Sequence, residues 1–337
     1  MEKLGDRLKA SADADKLRLH TPGHKGELCS LDLTELSDGS FPSVAIAEAE
    51  REIADVYGAR HARMLCGGSS QGVKAAVYFA GSNGIVDINS HRSVFDGFKL
   101  AGKRCSAAGV RGALTPITVK DIASALAPDI GVVVVTSPTY YGYVADVDGI
   151  REFCRAHGLL FAVDGAHGAH FGASKLLPEP FAGRCDVCNV STHKTLSALT
   201  QTAVLLDNLS DSDSARLSDA VDIMGTTSPS YLLYASIDGA VRKMRDSAAA
   251  YERLYEPLCE IKAQFPFLQN DDFTRLVLDC SRVGADATAI NAALCRRGVY
   301  SEMTDGKNIV FIFTAADTPE TAEKFASALR GAIEDVT

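Results

Sequence analysis

One lysine of this chain has neighbours that are unusual for a surface charge. Residues 191–195 read Ser-Thr-His-Lys-Thr and follow the apolar stretch Val-Cys-Asn-Val, so Lys194 is predicted to lie just beyond the end of a strand. Chemistry between an amine and a carbonyl cofactor needs a nucleophilic lysine on a rigid element, with small polar groups that can hold an anion. Most lysines are solvated surface charges, so this segment alone only suggests such chemistry.

A carboxylate stands at the end of a second predicted strand, upstream of the lysine. Residues 161–170 read Phe-Ala-Val-Asp-Gly-Ala-His-Gly-Ala-His, and Asp164 ends their apolar part. A carboxylate beside a protonated pyridine nitrogen keeps that nitrogen charged, and a pKa that rises by one corresponds to about 1.4 kcal/mol. An aspartate at a strand end is more commonly a helix cap or a turn residue. Together with Lys194, however, Asp164 predicts an enzyme that uses pyridoxal 5'-phosphate (PLP).

A run of small residues offers a place for the phosphate of such a cofactor. Residues 67–72, Gly-Gly-Ser-Ser-Gln-Gly, precede a predicted helix rich in Ala and Val. The amides and side chains at the positive end of that helix predict an anion cradle that includes Ser69, Ser70 and Gln71. Such a run is often only a turn with a helix cap, and it is not a Walker loop, because no Gly-Lys-Ser/Thr follows.

Two further segments carry polar groups at the ends of predicted strands. His91 lies between a strand and a helix, where its ring can stack on a cofactor, although a solvent-facing loop histidine is the simpler interpretation. Residues 136–142, Thr-Ser-Pro-Thr-Tyr-Tyr-Gly, close a Val-rich strand, and we predict that Thr139 contacts a substrate. Ligands of parallel sheets bind at the carboxyl ends of the strands, where all these segments lie, so together they predict one site.

Composition excludes several other classes of function. The 337 residues carry a formal net charge of -9, which argues against a nucleic-acid partner, because nucleic acids require a basic surface. No apolar run approaches the ~18 residues of a membrane helix, so no membrane partner is expected. The charged first residues lack the apolar core of a secretory signal, and we therefore expect a cytoplasmic protein.

The cysteines indicate reduced thiols and no metal site. There are nine, without the spacing of a disulfide framework. Cys185 and Cys188 have C-x-x-C spacing, but a zinc site needs a second pair, and none exists. Both are expected in one strand, where residues three apart point to opposite faces.

Short apolar runs that alternate with helical stretches predict an α/β fold with a mainly parallel sheet. The uninterrupted run Val132–Val135 suits a strand that is buried on both faces. Predicted strands cover residues 62–65, 84–87, 131–136, 159–163, 187–191 and 202–206, and predicted helices cover 2–10, 45–57, 71–80, 93–100, 119–126 and 149–157.

The pattern changes in the last part of the chain, which predicts a small α+β domain. It contains strands at 274–279 and 309–314 and helices at 285–297 and 318–333, the last with Thr318 as N-cap and Pro319 in the first turn. The predicted organisation is an N-terminal arm (1–40), a PLP-binding large domain (41–228), one long connecting helix (229–265) and the small domain (266–337).

These motifs resemble those of the bacterial ornithine/lysine/arginine decarboxylases, PLP-dependent enzymes of fold type I, the aspartate-aminotransferase fold. The matches run in family order over nearly the whole chain, and a long match such as STHKTLSALTQ is highly specific. They are HTPGHKGE (20–27), LDLTEL (31–36), AEAEREIADVYGA (47–59), GGSSQG (67–72), HRSV (91–94), TSPTYYG (136–142), VDGAHGAHFG (163–172), STHKTLSALTQ (191–201), TSPSYLLYASID (227–238) and SEMTDGKNIVFIF (301–313).

The resemblance implies a role for each matched position. Lys194 matches the lysine that forms the Schiff base with PLP, and Asp164 matches the partner of the pyridinium. Ala166 and His91 would contact the two ring faces, and His167 falls near the phenolic oxygen. The positions that match phosphate ligands are Ser69, Ser70, Ser191 and His193.

Two further implications concern the partner and the substrate. Ser228 and Ser230 lie in a segment that reaches the phosphate site of the neighbouring subunit in this family, which implies a homodimer with shared active sites. Glu302 matches a glutamate near the substrate pocket, where it would be the counter-ion of a distal ammonium or guanidinium.

The chain departs from the family pattern in two places. Gly165 stands where many members have a glutamate, which removes a carboxylate beside the cofactor. Full-length members also continue into a further C-terminal domain, whereas this chain stops at Thr337. That domain helps to form the substrate funnel, so its absence bears on the identity of the substrate.

The expected activity is decarboxylation of arginine, lysine or ornithine, small-molecule substrates that lead into polyamine metabolism. The sequence does not choose among the three. The alternatives are another PLP reaction, such as that of an aminotransferase or a lyase, and a catalytically silent PLP-binding regulatory homologue. The last predicted strand lacks the arginine with which class I aminotransferases hold the α-carboxylate, and the intact Lys194, Asp164 and His91 argue against a silent protein.

Overall fold

The computed structural model describes residues 3–13, 17–34 and 43–337. Glu2 of the first predicted helix, and Glu35 and Leu36 of the LDLTEL match, lie outside the described residues. The chain divides into two compact units. The first comprises Met1–Pro138, Ala145–Ala169 and Pro180–Lys243, and the second comprises Thr139–Val144, His170–Glu179 and Met244–Thr337.

Helices and strands alternate through most of the described chain. The helices are α1 (Leu4–Asp13), α2 (Ser43–Tyr57), α3 (Gly68–Ala80), α4 (Arg92–Leu100), α5 (Val119–Ala125), α6 (Val147–Ala156), α7 (Thr192–Thr195), α8 (Asp211–Ile223), α9 (Tyr231–Arg245), α10 (Ala248–Gln264), α11 (Ala287–Arg296) and α12 (Pro319–Glu334). The strands are β1 (His61–Leu65), β2 (Asn83–Asp87), β3 (Cys105–Ala108), β4 (Ile130–Thr136), β5 (Leu160–Asp164), β6 (Val187–Val190), β7 (Ala203–Asp207), β8 (Arg275–Asp279), β9 (Met303–Thr304) and β10 (Asn308–Ile312).

The first unit contains a seven-stranded sheet in the order β1-β7-β6-β5-β4-β2-β3. The neighbours from β3 to β6 are parallel, whereas β7 is antiparallel to β6 and to β1. The predicted α/β fold with a mainly parallel sheet is therefore confirmed. The register pairs Asp164 with Thr136 of β4 on one side and with Asn189 of β6 on the other, which aligns three polar residues at one edge of the sheet.

The core explains why the central strands are so apolar. Val132–Val135 of β4 are at most 2% exposed, as a strand covered on both faces must be. On one face the hydrophobic cluster includes Val73 and Val77 of α3 and Phe98 of α4. Burial of side chains of this size contributes roughly 1.5–3 kcal/mol each, and it keeps α3 against the sheet.

The second unit is the predicted α+β assembly. Its three-stranded sheet is antiparallel, in the order β8-β10-β9. Thr318 caps α12 in a capping box with Thr321, and Pro319 occupies the first turn, as predicted. Phe325 of α12 packs its ring edge-on against Phe311 of β10.

Several features differ from the sequence-based expectation, which also did not include α7 and β9. The prediction of a single helix over 229–265 is wrong, because α9 ends at Arg245 and α10 begins at Ala248. Between them the hydroxyl of Ser247 donates to the carbonyl of Met244, and this side-chain bond competes with the backbone hydrogen bonds of a continuous helix. Strand β3 was not expected, because its middle residues are exposed and it has no apolar alternation. Helix α8 was not expected either, since its Asp and Ser residues have low helix propensity.

No helix in the described ranges is both long enough and apolar enough to cross a membrane.

Candidate active site

A buried carboxylate lies at the carboxyl end of β5. Asp164 is the last residue of that strand and is 4% exposed. The side-chain amide of Asn189, on the adjacent strand β6, donates to Oδ1 of Asp164 at 3.0 Å, and the amide of Ala166 donates to the same oxygen at 3.4 Å. Among the described residues both donors thus reach Oδ1, which leaves Oδ2 to accept a hydrogen bond from another group.

The electrostatics of this carboxylate fit a cationic ligand. Burial raises the pKa of Asp164, and this effect exceeds the lowering by the Asn189 hydrogen bond, by Lys194 and by His91. A buried acid of this kind is ionised more readily when a further cation lies beside it. A protonated pyridine nitrogen that donates to Oδ2 would satisfy both the charge and the hydrogen bond, so the residues present fit PLP.

Lys194 lies on α7, the single helical turn that follows β6 directly. Its Nζ is 3.0 Å from Nε2 of His167, a residue that is 4% exposed and lies in the turn after β5. The structure therefore brings the predicted lysine together with the predicted histidine and places both beyond the ends of neighbouring parallel strands.

Backbone hydrogen bonds continue between β5 and β6 beyond their ends. The amide of Gly165 donates to the carbonyl of Asn189 at 2.9 Å, and the amide of Ser191 donates to the carbonyl of Ala166 at 3.3 Å. A Cβ added at Gly165 would lie 3.0 Å from that Asn189 oxygen, which is closer than nine in ten real Cβ contacts. The glycine therefore allows the loop to lie close to β6, because the Cβ of any other residue at this position would be directed at that strand.

The small-residue run forms the start of α3 rather than a separate loop. Gly68 has φ +67°, a conformation that glycine adopts readily, and the helix begins there. Ser69 and Ser191 join the two segments, with their hydroxyl oxygens 2.7 Å apart. Since the first amides of a helix have no intrahelical acceptor, the hydroxyls and this helix end form an anion-binding arrangement, in which Ser70 occupies the same first turn.

Gln71 occupies a different position from the one expected. Its Oε1 accepts from the amide of Gly67 at 2.9 Å, and its Nε2 donates to the carbonyl of Val221 at 3.1 Å. The side chain is 7% exposed and spans from the start of α3 to α8. Both ends of its amide thus bind protein backbone, so Gln71 holds Gly67 at the start of α3, and its contact with a cofactor stays a prediction.

The turn behind Lys194 is held by Thr202. Its carbonyl accepts from Nδ1 of His193 at 2.8 Å, and its hydroxyl accepts from that of Thr192 at 2.8 Å. Because Nδ1 donates to a carbonyl, it carries the hydrogen, and Nε2 of His193 is the ring nitrogen left for another partner.

His91 is the N-cap residue of α4. Its Nδ1 accepts from the amide of Ser93 at 3.3 Å, so the ring is fixed at the start of that helix. Ala166, 9% exposed, lies two residues after Asp164. The stacking of His91 and Ala166 on a cofactor ring stays a prediction.

Four further predicted residues have described contacts of their own. Ser228 lines a cavity of about 170 Å³ with Thr21, Thr34, Thr227, Pro229 and Tyr231, and Ser230 accepts from the thiol of Cys66 through its carbonyl. Thr139 and Glu302 belong to the second unit, where the hydroxyl of Tyr140 donates to Oε1 of Glu302 at 2.6 Å.

Sequence reasoning missed Asn189 and placed Cys185 wrongly. A single amide in the apolar run Val-Cys-Asn-Val was the available signal for Asn189, since a buried polar side chain needs a partner. Cys185 precedes β6 instead of lying in it. Its thiol interacts with that of Cys188, and burial, with a smaller effect of Cys188, raises the pKa of Cys185 well above its usual range. The two thiols therefore do not lie on opposite faces of one strand, as was predicted.

Comparison with known proteins identifies the family. Residues 25–267 match the model of the family described as Orn/Lys/Arg decarboxylase, major domain. The chain belongs to the Orn/Lys/Arg decarboxylase family. This family consists of PLP-dependent amino-acid decarboxylases, so the predicted family, enzyme class and cofactor are confirmed at that level.

Several characterised and uncharacterised relatives align with most of the chain. The uncharacterized protein YaaO of Bacillus subtilis (strain 168) is 29% identical, over 87% of this chain and 70% of the relative. An arginine decarboxylase of the same organism is 27% identical, over 96% of this chain and 75% of the relative. The constitutive lysine decarboxylase of Escherichia coli (strain K12) is 27% identical, over 64% of this chain and 33% of the relative.

Solved structures confirm the fold. The lysine decarboxylase LdcF of Francisella novicida has a TM-score of 0.81 and 16% identity, over 98% of this chain and 59% of its own. The serine palmitoyltransferase of Sphingomonas wittichii has a TM-score of 0.73 and 16% identity, over 100% of this chain and 85% of its own. The first unit therefore has the predicted fold type I architecture of PLP-dependent enzymes, and the chain spans 59% of the length of the F. novicida enzyme.

Proposed function

We propose that this chain decarboxylates a basic amino acid, arginine, lysine or ornithine, with PLP held covalently by Lys194. The observation that supports this most directly is the geometry at the ends of β5 and β6. There Nζ of Lys194 lies 3.0 Å from His167, and the buried carboxylate of Asp164 keeps one oxygen available to a cationic ring nitrogen.

The residues around this pair would hold the cofactor. Asp164 would accept a hydrogen bond from the ring nitrogen, and His91 and Ala166 would contact the two ring faces. The phosphate would be bound at the start of α3 and by four neighbouring side chains: Ser69, Ser70, Ser191 and His193. When bound, PLP supplies an electron sink for the pair released as the bond from Cα to the carboxylate breaks.

The protein's own contribution is charge and position. Asp164 keeps a proton on the ring nitrogen, because a buried carboxylate next to a cation favours the charged pair. Lys194 supplies the amine and must lose a proton before that amine is nucleophilic. The orientation of the bound substrate determines which bond to Cα is broken, so it selects decarboxylation over other PLP reactions.

The choice of a basic amino acid rests on relatives and on one acidic residue. Relatives named arginine decarboxylase and lysine decarboxylase both align with this chain. In the second unit Glu302 carries a carboxylate that accepts from Tyr140 at 2.6 Å and interacts electrostatically with Arg275. We propose that Glu302 is the counter-ion of the distal substrate cation and that Thr139 contacts the substrate. A second copy of the chain would contribute Ser228 and Ser230, which makes the active form a homodimer, acting in the cytoplasm.

A product assay tests this function. Purified protein loaded with PLP is incubated separately with arginine, lysine and ornithine, and CO₂ and agmatine, cadaverine or putrescine are measured by mass spectrometry. We expect one substrate to give CO₂ and its amine in equal amounts, and the Lys194→Ala variant to give neither. Loss of the amino group with an aminated cofactor would show an aminotransferase instead, and bound PLP without any turnover would show a silent protein.

A further inference from the structure

The contact between Lys194 and His167 joins two basic groups. Nζ and Nε2 are 3.0 Å apart, within the range of a hydrogen bond. A protonated lysine has only donors, and Nε2 of a doubly protonated histidine is also a donor. The contact is therefore a hydrogen bond only if at least one of the two groups is neutral, so the hydrogen-bonded pair carries at most one positive charge.

The position of this pair is fixed by the fold. The backbone hydrogen bonds from Gly165 to Asn189 and from Ser191 to Ala166 connect the turn that carries His167 to the segment that carries Lys194. His167 is 4% exposed, so water does not readily replace Nζ as its partner. The backbone segments that carry the two side chains are thus held next to each other by hydrogen bonds between neighbouring parallel strands.

The charged groups around the pair favour a single positive charge. The carboxylate of Asp164 interacts electrostatically with two basic residues, Lys194 and His91. His193, the residue before Lys194, uses Nδ1 to donate to the carbonyl of Thr202. Protonation of both Lys194 and His167 would put two cations 3.0 Å apart, which is unfavourable because like charges repel.

We infer that His167 is the proton acceptor of Lys194: its Nε2 takes the proton that Nζ must lose before the amine becomes nucleophilic. This inference rests on the proposed role of Lys194. In the transfer the N–H bond of the ammonium breaks, its electron pair becomes the lone pair of the amine, and a new N–H bond forms at Nε2. The total charge of the pair is unchanged, so the transfer requires no other reactant.

A pair that shares one proton has a characteristic pH profile. As the pH rises the pair first loses one proton, and a fraction of the lysine is then a free amine while the histidine carries the remaining proton. The second proton leaves at higher pH, after which all of the lysine is free. The reactivity of Lys194 should therefore rise in two steps that belong to the pair.

Labelling of the full chain without cofactor measures this profile. The protein is treated briefly with acetic anhydride at a series of pH values, and acetylation of Lys194 is quantified by peptide mass spectrometry. The exposed Lys120 in the same digest serves as the reference. In His167→Gln the amide oxygen can still accept from Nζ but cannot take its proton, so we expect one step. Labelling near pH 7 should then be slower, by about tenfold if the pKa of Lys194 rises by one.

The comparison at high pH separates proton transfer from a structural effect. When both groups have lost their protons, the wild type and His167→Gln should be labelled at the same rate. A variant that is slower at every pH would show that His167 only shapes the site, and identical profiles would show that it takes no proton. Either result overturns the inference. His157→Gln, which changes an exposed histidine that contacts the carbonyl of Phe153, should behave like the wild type.

A separate measurement tests the underlying role of Lys194. The wild type is loaded with PLP, reduced with borohydride and digested, and the modified peptide is identified by its mass. Cofactor on another lysine would refute the proposed role of Lys194. Cofactor on Lys194 combined with a one-step labelling profile in the wild type would refute only the inference about His167.

Discussion

Asn189 and Asp164 form a side-chain hydrogen bond across two neighbouring parallel strands. The amide nitrogen of Asn189 lies 3.0 Å from Oδ1 of Asp164, and both residues are at most 4% exposed. The bond has two effects. It opposes the rise that burial causes in the pKa of Asp164, and it engages Oδ1, so that Oδ2 can accept from another group. Asn189 is therefore placed to adjust the acid on which the proposed cofactor site depends.

The first prediction concerns this bond. In Asn189→Leu the carboxylate of Asp164 loses its side-chain donor, so its pKa should rise further and its ionised form should become less available to a pyridinium. Removal of a donor to a buried charged group costs about 1–3 kcal/mol, which corresponds to roughly 5- to 150-fold weaker PLP binding. Binding is measured by titrating the cofactor-free protein with PLP.

The control for this variant is Asn291→Leu in the second unit. Asn291 accepts one hydrogen bond, from the hydroxyl of Ser301 at 2.7 Å, so the change also removes a single bond but leaves β5 and β6 intact. Its PLP affinity should equal that of the wild type. If Asn189→Leu binds PLP equally well, the hydrogen bond does not govern the carboxylate.

The second prediction concerns the stability of Asp164→Asn. Because the pKa of Asp164 is raised in the folded protein, its protonated form is favoured there, and this contribution to stability is lost as the pH rises through the folded pKa. Without cofactor, Asp164→Asn should therefore be more stable than the wild type at pH 7, by about 1.4 kcal/mol if the folded pKa exceeds the unfolded pKa by one. The difference should disappear below the unfolded pKa of about 4. Thermal unfolding at a series of pH values measures it.

The same variant should lose most of its catalysis. An amide does not keep the ring nitrogen of PLP protonated, so turnover should fall strongly although some cofactor is retained. PLP should also stabilise the variant less than it stabilises the wild type, since the charged pair is absent. Wild-type rates in Asp164→Asn would eliminate the proposed role of this carboxylate.

The third prediction concerns the attachment of the cofactor. Lys194→Ala should lose both turnover and the absorbance of lysine-bound PLP, because the variant has no amine on α7, the helical turn after β6. Lys243→Ala is the matched control, since Lys243 is an exposed lysine of α9. Absorbance spectra and the product assay on both variants test it, and a Lys194→Ala protein that kept either signal would refute the assignment.

The positions of Lys194 and Asp164 could be predicted because their signals are local. Each follows an apolar run that is long enough for a strand, and the ends of parallel strands meet at one edge of a sheet. The bond from Asn189 to Asp164 could not be predicted in the same way. It depends on the register of β5 against β6, which no local pattern reports.

The break between α9 and α10 and the partner of Gln71 also depend on interactions that no local sequence pattern reports. The break between α9 and α10 occurs at Asp246 and Ser247, where a hydrogen bond from the serine hydroxyl competes with the helix although the surrounding residues favour it. The place of Gln71 in a Gly/Ser run predicts a ligand contact. Its actual partner, the carbonyl of Val221, belongs to α8, a helix that the sequence did not reveal.

The fourth prediction concerns a buried carboxylate of the second unit and is independent of the cofactor. Asp272 is 0% exposed, its Oδ2 lies 3.2 Å from Nε2 of His170, and its Oδ1 accepts from the hydroxyl of Thr274 at 2.6 Å. Burial alone would raise the pKa of Asp272, but His170, with smaller effects of Arg275 and Thr274, outweighs it and holds the pKa well below its usual range.

Because the folded pKa is depressed, Asp272 contributes stability above its unfolded pKa of about 4, and that contribution is lost as the pH falls through the folded value. Asp272→Asn removes a buried carboxylate that interacts with His170 and Arg275 and should cost about 3–5 kcal/mol at pH 7. The deficit relative to the wild type should shrink below about pH 4. Urea unfolding followed by circular dichroism at pH 7 and at acidic pH measures both values, with the exposed Asp246→Asn as control. A deficit that does not change with pH would mean that Asp272 stabilises the unit by packing and hydrogen bonds alone and that its charge contributes nothing.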